Sequence, residues 1–239
     1  LAVVADVTSL ESMQGAVAQG IERFGGIDLV LANAGIASYG SVRAVDPKVF
    51  ARVLDINVVG VFHTVRAALE SVIERRGYIL VVSSEAAFAP APGLAAYSAS
   101  KAGAENFASC LRLEVAHLGV DVGSAHMSWI DTPMVQEAKA DLGAFRRMLA
   151  QLPGPLGKTI PLEDCVSAFV DGLEQRKRRV FVPGWVGLLG AFKPALTSRL
   201  GERSVLARSA TMVEEMDAEV AAMGRSVSER IAGLEAQRA

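Results

Sequence analysis

The sequence predicts an α/β fold, a doubly wound parallel sheet, and three observations carry that reading. Short apolar runs alternate with longer stretches of helical spacing, which is the pattern of strand-helix-strand crossovers. The apolar runs show no polar alternation, as expected of strands covered on both faces. Small and polar residues gather where these runs end, at the carboxyl ends of strands, where parallel sheets hold their ligands.

The elements follow in order. Leu1–Ala5, Ile27–Ala32, Tyr78–Val82, Val120–His126 and Arg179–Val182 read as strands. Leu10–Phe24 reads as a helix that Thr8 or Ser9 can cap and Gly25-Gly26 stops. A second helix runs from about Pro47 to Glu74, with Asp46 as cap and Pro47 in the first turn. A third begins near Ala95 and stops at Gly119, and a fourth covers Leu162–Glu174. After Pro183-Gly184 the pattern changes: Trp185–Leu200 is apolar, and Thr211–Arg238 looks like a charged amphipathic helix. The expected division is therefore a domain over 1–183 and a helical C-terminal extension over 184–239.

Composition narrows the function. Lys plus Arg is 24 against 26 for Asp plus Glu, a net charge of −2, so no cationic field favours nucleic acid. The cysteines, Cys110 and Cys165, and the three histidines lack metal-ligand spacing; no metal site is expected, and both cysteines read as small buried hydrophobes. The apolar stretches fall short of a membrane span, and a reducing cytoplasm is the expected setting.

One constellation stands out: Tyr97-Ser98-Ala99-Ser100-Lys101. On a helix, residues four apart share a face. Free tyrosine titrates near pH ~10, and a Lys⁺ roughly 4–5 Å away supplies about 4 kcal/mol at an effective dielectric of about 20. That suffices to make the phenol a neutral-pH acid/base, so a lowered Tyr97 pKa is the expectation. A surface pair with Tyr97 packed and Lys101 solvated is the alternative. Ser84, at a strand end, could meet the phenol over a shared substrate oxygen. Asn57 lies amid apolar residues inside the second helix, where asparagine is unfavourable and needs a buried partner.

Together these residues make the chain resemble the short-chain dehydrogenase/reductase family, over roughly residues 1 to 183. Asp6-Val7-Thr8 resembles the family's adenine-side segment, and Asn33-Ala34-Gly35 its turn beneath the cofactor. Asn57, Ser84, Tyr97 and Lys101 match its catalytic set in order and spacing; Ser84, thirteen residues before Tyr97, fits better than Ser83. The resemblance implies a Rossmann-like sheet and an oxidoreductase that uses NAD or NADP to interconvert an alcohol and a ketone or aldehyde. Tyr97 would pass the proton, Ser84 would orient the oxygen, and Lys101 would tune Tyr97 and hold the nicotinamide ribose. Asn57 would hold a relay water. Asp6, Val7, Asn33, Ala34, Gly35, Ile130 and Thr132 would contact the cofactor. A homo-oligomer, dimer or tetramer, is implied as well.

Two departures qualify the resemblance. Met127-Ser128 stand where the family has Pro-Gly, so the loop path is expected to differ. The family's glycine-rich turn, which meets the pyrophosphate, does not precede Leu1. An absent N-terminal part is therefore expected, with Leu1–Ala5 left unpartnered, an apolar edge on Ile27–Ala32, and poor stability of these 239 residues alone. A non-catalytic relative serving binding or assembly is the alternative function.

Pro133–Leu156 reads first as a lid packed on its own core, second as the wall of a pocket for an apolar alcohol or ketone. The apolar stretch after Trp185 reads first as packing on its own subunit or a second copy, second as a membrane-surface contact beside the basic cluster Arg176–Arg179.

Overall fold

The structure, a computed structural model, describes residues 1–236. Its sheet has four parallel strands in the order β1-β2-β3-β4: β1 Leu29–Ala32, β2 Tyr78–Val82, β3 Asp121–Met127 and β4 Arg179–Val182. Each expected run from Ile27 onward forms its strand to within two residues. Leu1–Ala5 does not: it joins no strand, and Leu1 and Val4 are exposed. Backbone groups in an extended segment need a ladder partner to become a strand, and the edge strand β1 pairs only with β2.

Helix α1 (Leu10–Phe24) starts where Ser9 Oγ accepts from Ser12 N and ends at Gly25 with φ 82°. That left-handed closure suits glycine. The second expected helix is continuous but composite: α2 (Pro47–Leu54), a π-turn over Asp55–Val59, then α3 (Gly60–Glu74). Asp46 caps it through Lys48 N. By length and composition the helix Pro47–Glu74 could cross a membrane, contrary to the sequence expectation. Here it is a core helix: Val61, Val65, Ala68 and Val72 are buried against the sheet. Helix α4 (Ala95–Val115) lies beside it and brings Ala104, Ala108 and Leu111 to the same core.

The opposite face of the sheet carries Tyr78, Leu80, Val180 and Val182, packed with Cys165 and Phe169 of α7 (Leu162–Glu174). The centre of the sheet is sealed, since all five β2 residues are buried. Leu29 and Leu31 share that face through their register with Tyr78 and Leu80, yet they are 48% and 41% exposed. Cys165 is buried as expected, whereas Cys110 is exposed.

After β3, the lid forms α5 (Pro133–Asp141) and α6 (Gly143–Gln151). Beyond β4 come the short helices α8 (Val186–Ala191) and α9 (Lys193–Leu196), the long α10 (Arg199–Met223) and α11 (Glu229–Ala236). The long helix thus begins before the expected Thr211 and stops at Gly224, φ 63°; positions 237 and 238 lie outside the described residues. Helix α10 packs on its own chain. Asp217 accepts from Ser41 N and Oγ at 2.8 and 2.6 Å, Glu219 accepts from Ala144 N, and Arg147 pairs with Glu215 and Glu219. Just beyond it, Arg225 grips Asp141 with two bonds of 2.8 and 2.9 Å.

Candidate active site

Five of the expected residues converge at the carboxyl ends of β1 and β2. Asn57 is fully buried in the π-turn. Its Oδ1 accepts from Ile36 N, and Nδ2 donates to Ile36 O and to Ser100 Oγ, all at 2.9 Å. The buried partner that the sequence demanded is therefore the chain just after Gly35. Both Nδ2 hydrogens are used, so this side chain works as a clamp. Gly35 sits against it: a Cβ there would stand 3.2 Å from Asn57 Oδ1 and 3.3 Å from Lys101 Nζ.

The two adjacent serines separate cleanly. Ser83 Oγ donates to Lys101 O at 2.9 Å and ties β2 to α4. Ser84 Oγ accepts from Ala86 N at 3.2 Å, capping a short 3₁₀ turn over Glu85–Ala87, and lies next to the Tyr97 hydroxyl. Lys101 is buried, with Nζ donating to Val82 O at 3.0 Å and lying 5.7 Å from the Tyr97 ring centre. Tyr97 and Lys101 therefore face one buried site and are not a solvated surface pair.

The electrostatics differ from expectation. Burial pushes the Tyr97 phenol up, against the Ser84 hydrogen bond that lowers it, and the Glu85 carboxylate raises it further. Burial also pulls Lys101 down to about 8. Desolvation favours the neutral form of each, and it outweighs the attraction that the sequence argument assigned to the pair.

The remaining residues lie apart from this centre. Asp6 Oδ1 accepts from Thr8 N and Oγ1, while Val7 O is bonded to His63 Nδ1 at 2.9 Å. A Cβ on Gly60 would come within 2.8 Å of Val7 Cγ2, so the Asp6-Val7 turn rests on α3 just beyond the π-turn. Asn33 and Ala34 are exposed. Ile130 is buried and bridges Ile160, and Thr132 N and Oγ1 both donate to Ile130 O. Ser128 takes its place without a positive φ, so the missing glycine introduces no backbone strain.

Ser84 and Tyr97 open into a cavity of about 370 Å³. Met134, Leu142, Phe145 and Met148 of the lid line it, so the lid serves both as a packed layer and as a pocket wall. Met212 and Met216 of α10, with Leu189 and Leu196, also line it. That contribution was not legible beforehand, because no local pattern says where a terminal helix returns. Glu85 was missed too. It lines the cavity, and burial raises its carboxyl to about 7. Its one sequence signal is a charge among small residues, directly after the serines of a buried strand.

A family model described as short chain dehydrogenase matches residues 1–143. Among curated proteins, (−)-trans-carveol dehydrogenase of Rhodococcus erythropolis is 34% identical over 158 residues, which is 65% of this chain and 56% of that protein. Trans-4-hydroxycyclohexanecarboxylate dehydrogenase of Sinomonas cyclohexanicum is 33% identical over 138 residues, 58% and 53% of the two chains. A crystal structure of a short chain dehydrogenase from Mycobacterium paratuberculosis bound to NAD superposes with a TM-score of 0.64 at 28% identity, covering 76% of this chain and 72% of that one. The chain spans about half the length of the curated relatives it matches. The match extends from the first residue through Tyr97 and Lys101 to the start of α6, and on that ground the chain belongs to the short-chain dehydrogenase family.

Proposed function

We propose that the protein is an NAD(P)-dependent oxidoreductase that interconverts an alcohol and a ketone or aldehyde on a hydrophobic small molecule. The observation that carries this is the meeting of Ser84 and Tyr97 in the wall of a largely apolar cavity, with Lys101 buried beside the Tyr97 ring. The carbonyl oxygen would accept from Ser84 Oγ, which fixes its position, and from the Tyr97 hydroxyl, which gives up its proton. In the alcohol-oxidising direction the proton moves from the substrate hydroxyl to Tyr97 Oη. Burial keeps that phenol protonated at neutral pH, the form needed for reduction. Lys101 recharges it, since a group pulled to about 8 exchanges protons readily near neutrality.

The residues fit a nicotinamide dinucleotide on its ribose side. Gly35 leaves open the space that a Cβ would take beside Asn57 and Lys101, and Lys101 Nζ has three donors with one bond, to Val82 O. Lys101 would hold the ribose hydroxyls, Ile130 and Thr132 the carboxamide, and Asp6 and Val7 the adenine side, with Asn33, Ala34 and Gly35 forming the turn beneath the cofactor. When bound, the dinucleotide supplies or takes the hydride. Asn57 acts as a positioning residue that sets the Gly35–Ile36 backbone. A homo-oligomer is the assembly we expect, because Val59, Phe62 and Leu113 of the long helix pair stand exposed.

The test is a panel of cyclic alcohols and ketones offered with NAD and NADP to the full-length protein and to Ser84→Ala. Turnover that falls by about 10²–10⁴ in the variant supports the reading. Equal turnover removes it.

A further inference from the structure

Apart from Ser84 and Tyr97, the cavity holds a second polar group of residues. Glu85 is the one carboxylate among its described lining residues. Ser128 stands where the family has glycine, and its hydroxyl lies beside the Glu85 carboxyl. That hydroxyl is buried, and it makes no hydrogen bond of good geometry among the described residues. The buried Trp129 Nε1, on the next residue of the wall, also lacks a partner. Buried polar groups are almost always bonded, and a carboxyl facing an apolar cavity is disfavoured unless something answers it. An unpartnered Ser128 hydroxyl beside a carboxyl that lines the cavity points to a ligand atom that completes the pair.

We propose that Glu85 and Ser128 form a second polar anchor in the pocket, selecting neutral alicyclic substrates that carry a hydroxyl on a carbon next to the reacting one. This rests on the oxidoreductase reading. Glu85 follows Ser84 directly and its charge is felt at Tyr97, so the anchor lies close to the reacting oxygen and not at the far end of the cavity. A neighbouring hydroxyl is the group of choice because it both donates and accepts. The Glu85 carboxyl sits near 7; below that it donates to the ligand, above it only accepts. Above 7 the Ser128 hydroxyl is drawn to the Glu85 carboxylate, and an ether oxygen, which cannot donate, then finds no donor in the anchor.

The charged and titratable groups around this turn are few. Tyr97 and Lys101 face it from α4, and His126 from β3 is held at about 4 and stays neutral. Lys193 from α9 donates to Ala87 O, and Arg208 from α10 lines the cavity. Lys101, near 8, changes charge within the same range as Glu85, and a Glu85→Gln variant, which leaves Lys101 in place, separates the two.

Trp129 gives the readout. With Trp185→Phe as background, Trp129 is the sole tryptophan of the chain, and its fluorescence in the full-length protein reports binding. The probes are cyclohexanol, trans-cyclohexane-1,2-diol and 2-methoxycyclohexanol. The diol should bind about 5–10-fold tighter than cyclohexanol at both pH 6 and pH 8.5, the size of one good hydrogen bond. The ether should match the diol at pH 6 and lose that advantage at pH 8.5. Glu85→Gln, which keeps a donor at every pH, should remove the pH dependence of the ether. Glu85→Leu should abolish the preference for the diol over cyclohexanol. A diol no better than cyclohexanol, or an ether that weakens at pH 8.5 even in Glu85→Gln, overturns the proposal. Turnover of cyclohexanol in the same samples tests the oxidoreductase reading separately.

Discussion

Replacing Asn57 by alanine removes the clamp that holds the turn after β1, and its cost can be worked from the bonds. Three hydrogen bonds of 2.9 Å disappear. Ser100 Oγ keeps its bond to Tyr97 O, so it loses only an accepted proton position. The Ile36 N–H and C=O are left buried without partners, at about 1–3 kcal/mol each. A water entering the vacated space recovers part of this, which leaves about 2–4 kcal/mol. For a domain of this size each kcal/mol moves Tm by about 2–4 °C, so a drop of about 4–16 °C is expected. Ser100→Ala, which breaks only the outer bond of the clamp and its own link to Tyr97 O, should cost about 1 kcal/mol. Thermal and urea unfolding of the full-length protein measure both. A loss under about 1 kcal/mol for Asn57→Ala would refute the assignment of the clamp, because two orphaned backbone groups cannot be that cheap in a dry site.

Other perturbations give equally definite outcomes. Lys101→Met should stabilise the fold below pH 8 by up to about 3 kcal/mol before the lost bond to Val82 O is counted, from the fall of the ammonium from 10.5 to about 8. Between pH 8 and 10.5 the unfolded chain binds the proton that the native site refuses, so the wild type gains stability as pH rises and the advantage vanishes; chemical denaturation at pH 7 and pH 10 shows it. The same variant should lose ketone reduction, while the wild-type rate holds steady below about 8 and declines above it, as a pH–rate profile records. Gly60→Leu forces a side chain into Val7, where even a Cβ would meet Cγ2 at 2.8 Å, and should weaken dinucleotide binding with little effect on substrate binding, seen by calorimetry. Met216→Ala should enlarge the cavity and shift turnover toward bulkier ketones.

Much of this architecture was legible because it rests on local rules. Ser9, Asp46 and Gly25 carry the chemistry of helix ends in their own side chains or lack of one, so α1 and the start of α2 fall where expected. The runs Tyr78–Val82 and Arg179–Val182 are strands because their periodicity and turn signals agree. The order and spacing of Asn57, Ser84, Tyr97 and Lys101 singled out residues that the fold brings close together, since each stands at a strand end or on a helix. What escaped was non-local. The π-turn at Asp55–Val59 holds Asn57 against a loop twenty-one residues away, a contact that no local pattern announces. The pKa directions at Tyr97 and Lys101 depend on how dry the site is, which spacing does not reveal. Helix α10 closes the pocket through contacts such as Asp217 with Ser41, across 176 residues. Leu1–Ala5 looked like a strand because composition describes only a propensity, and a strand exists only where a neighbour supplies the ladder.

In the proposed reaction Tyr97 Oη is the atom that passes the proton. The measurement that bears on it most directly is single-turnover ketone reduction by Tyr97→Phe, with dinucleotide affinity determined on the same sample. Affinity should stay within about threefold of the wild type while reduction slows by about 10²–10⁴. Reduction at the wild-type rate with the dinucleotide bound would contradict this role of Tyr97 and move the proton donor elsewhere in the site.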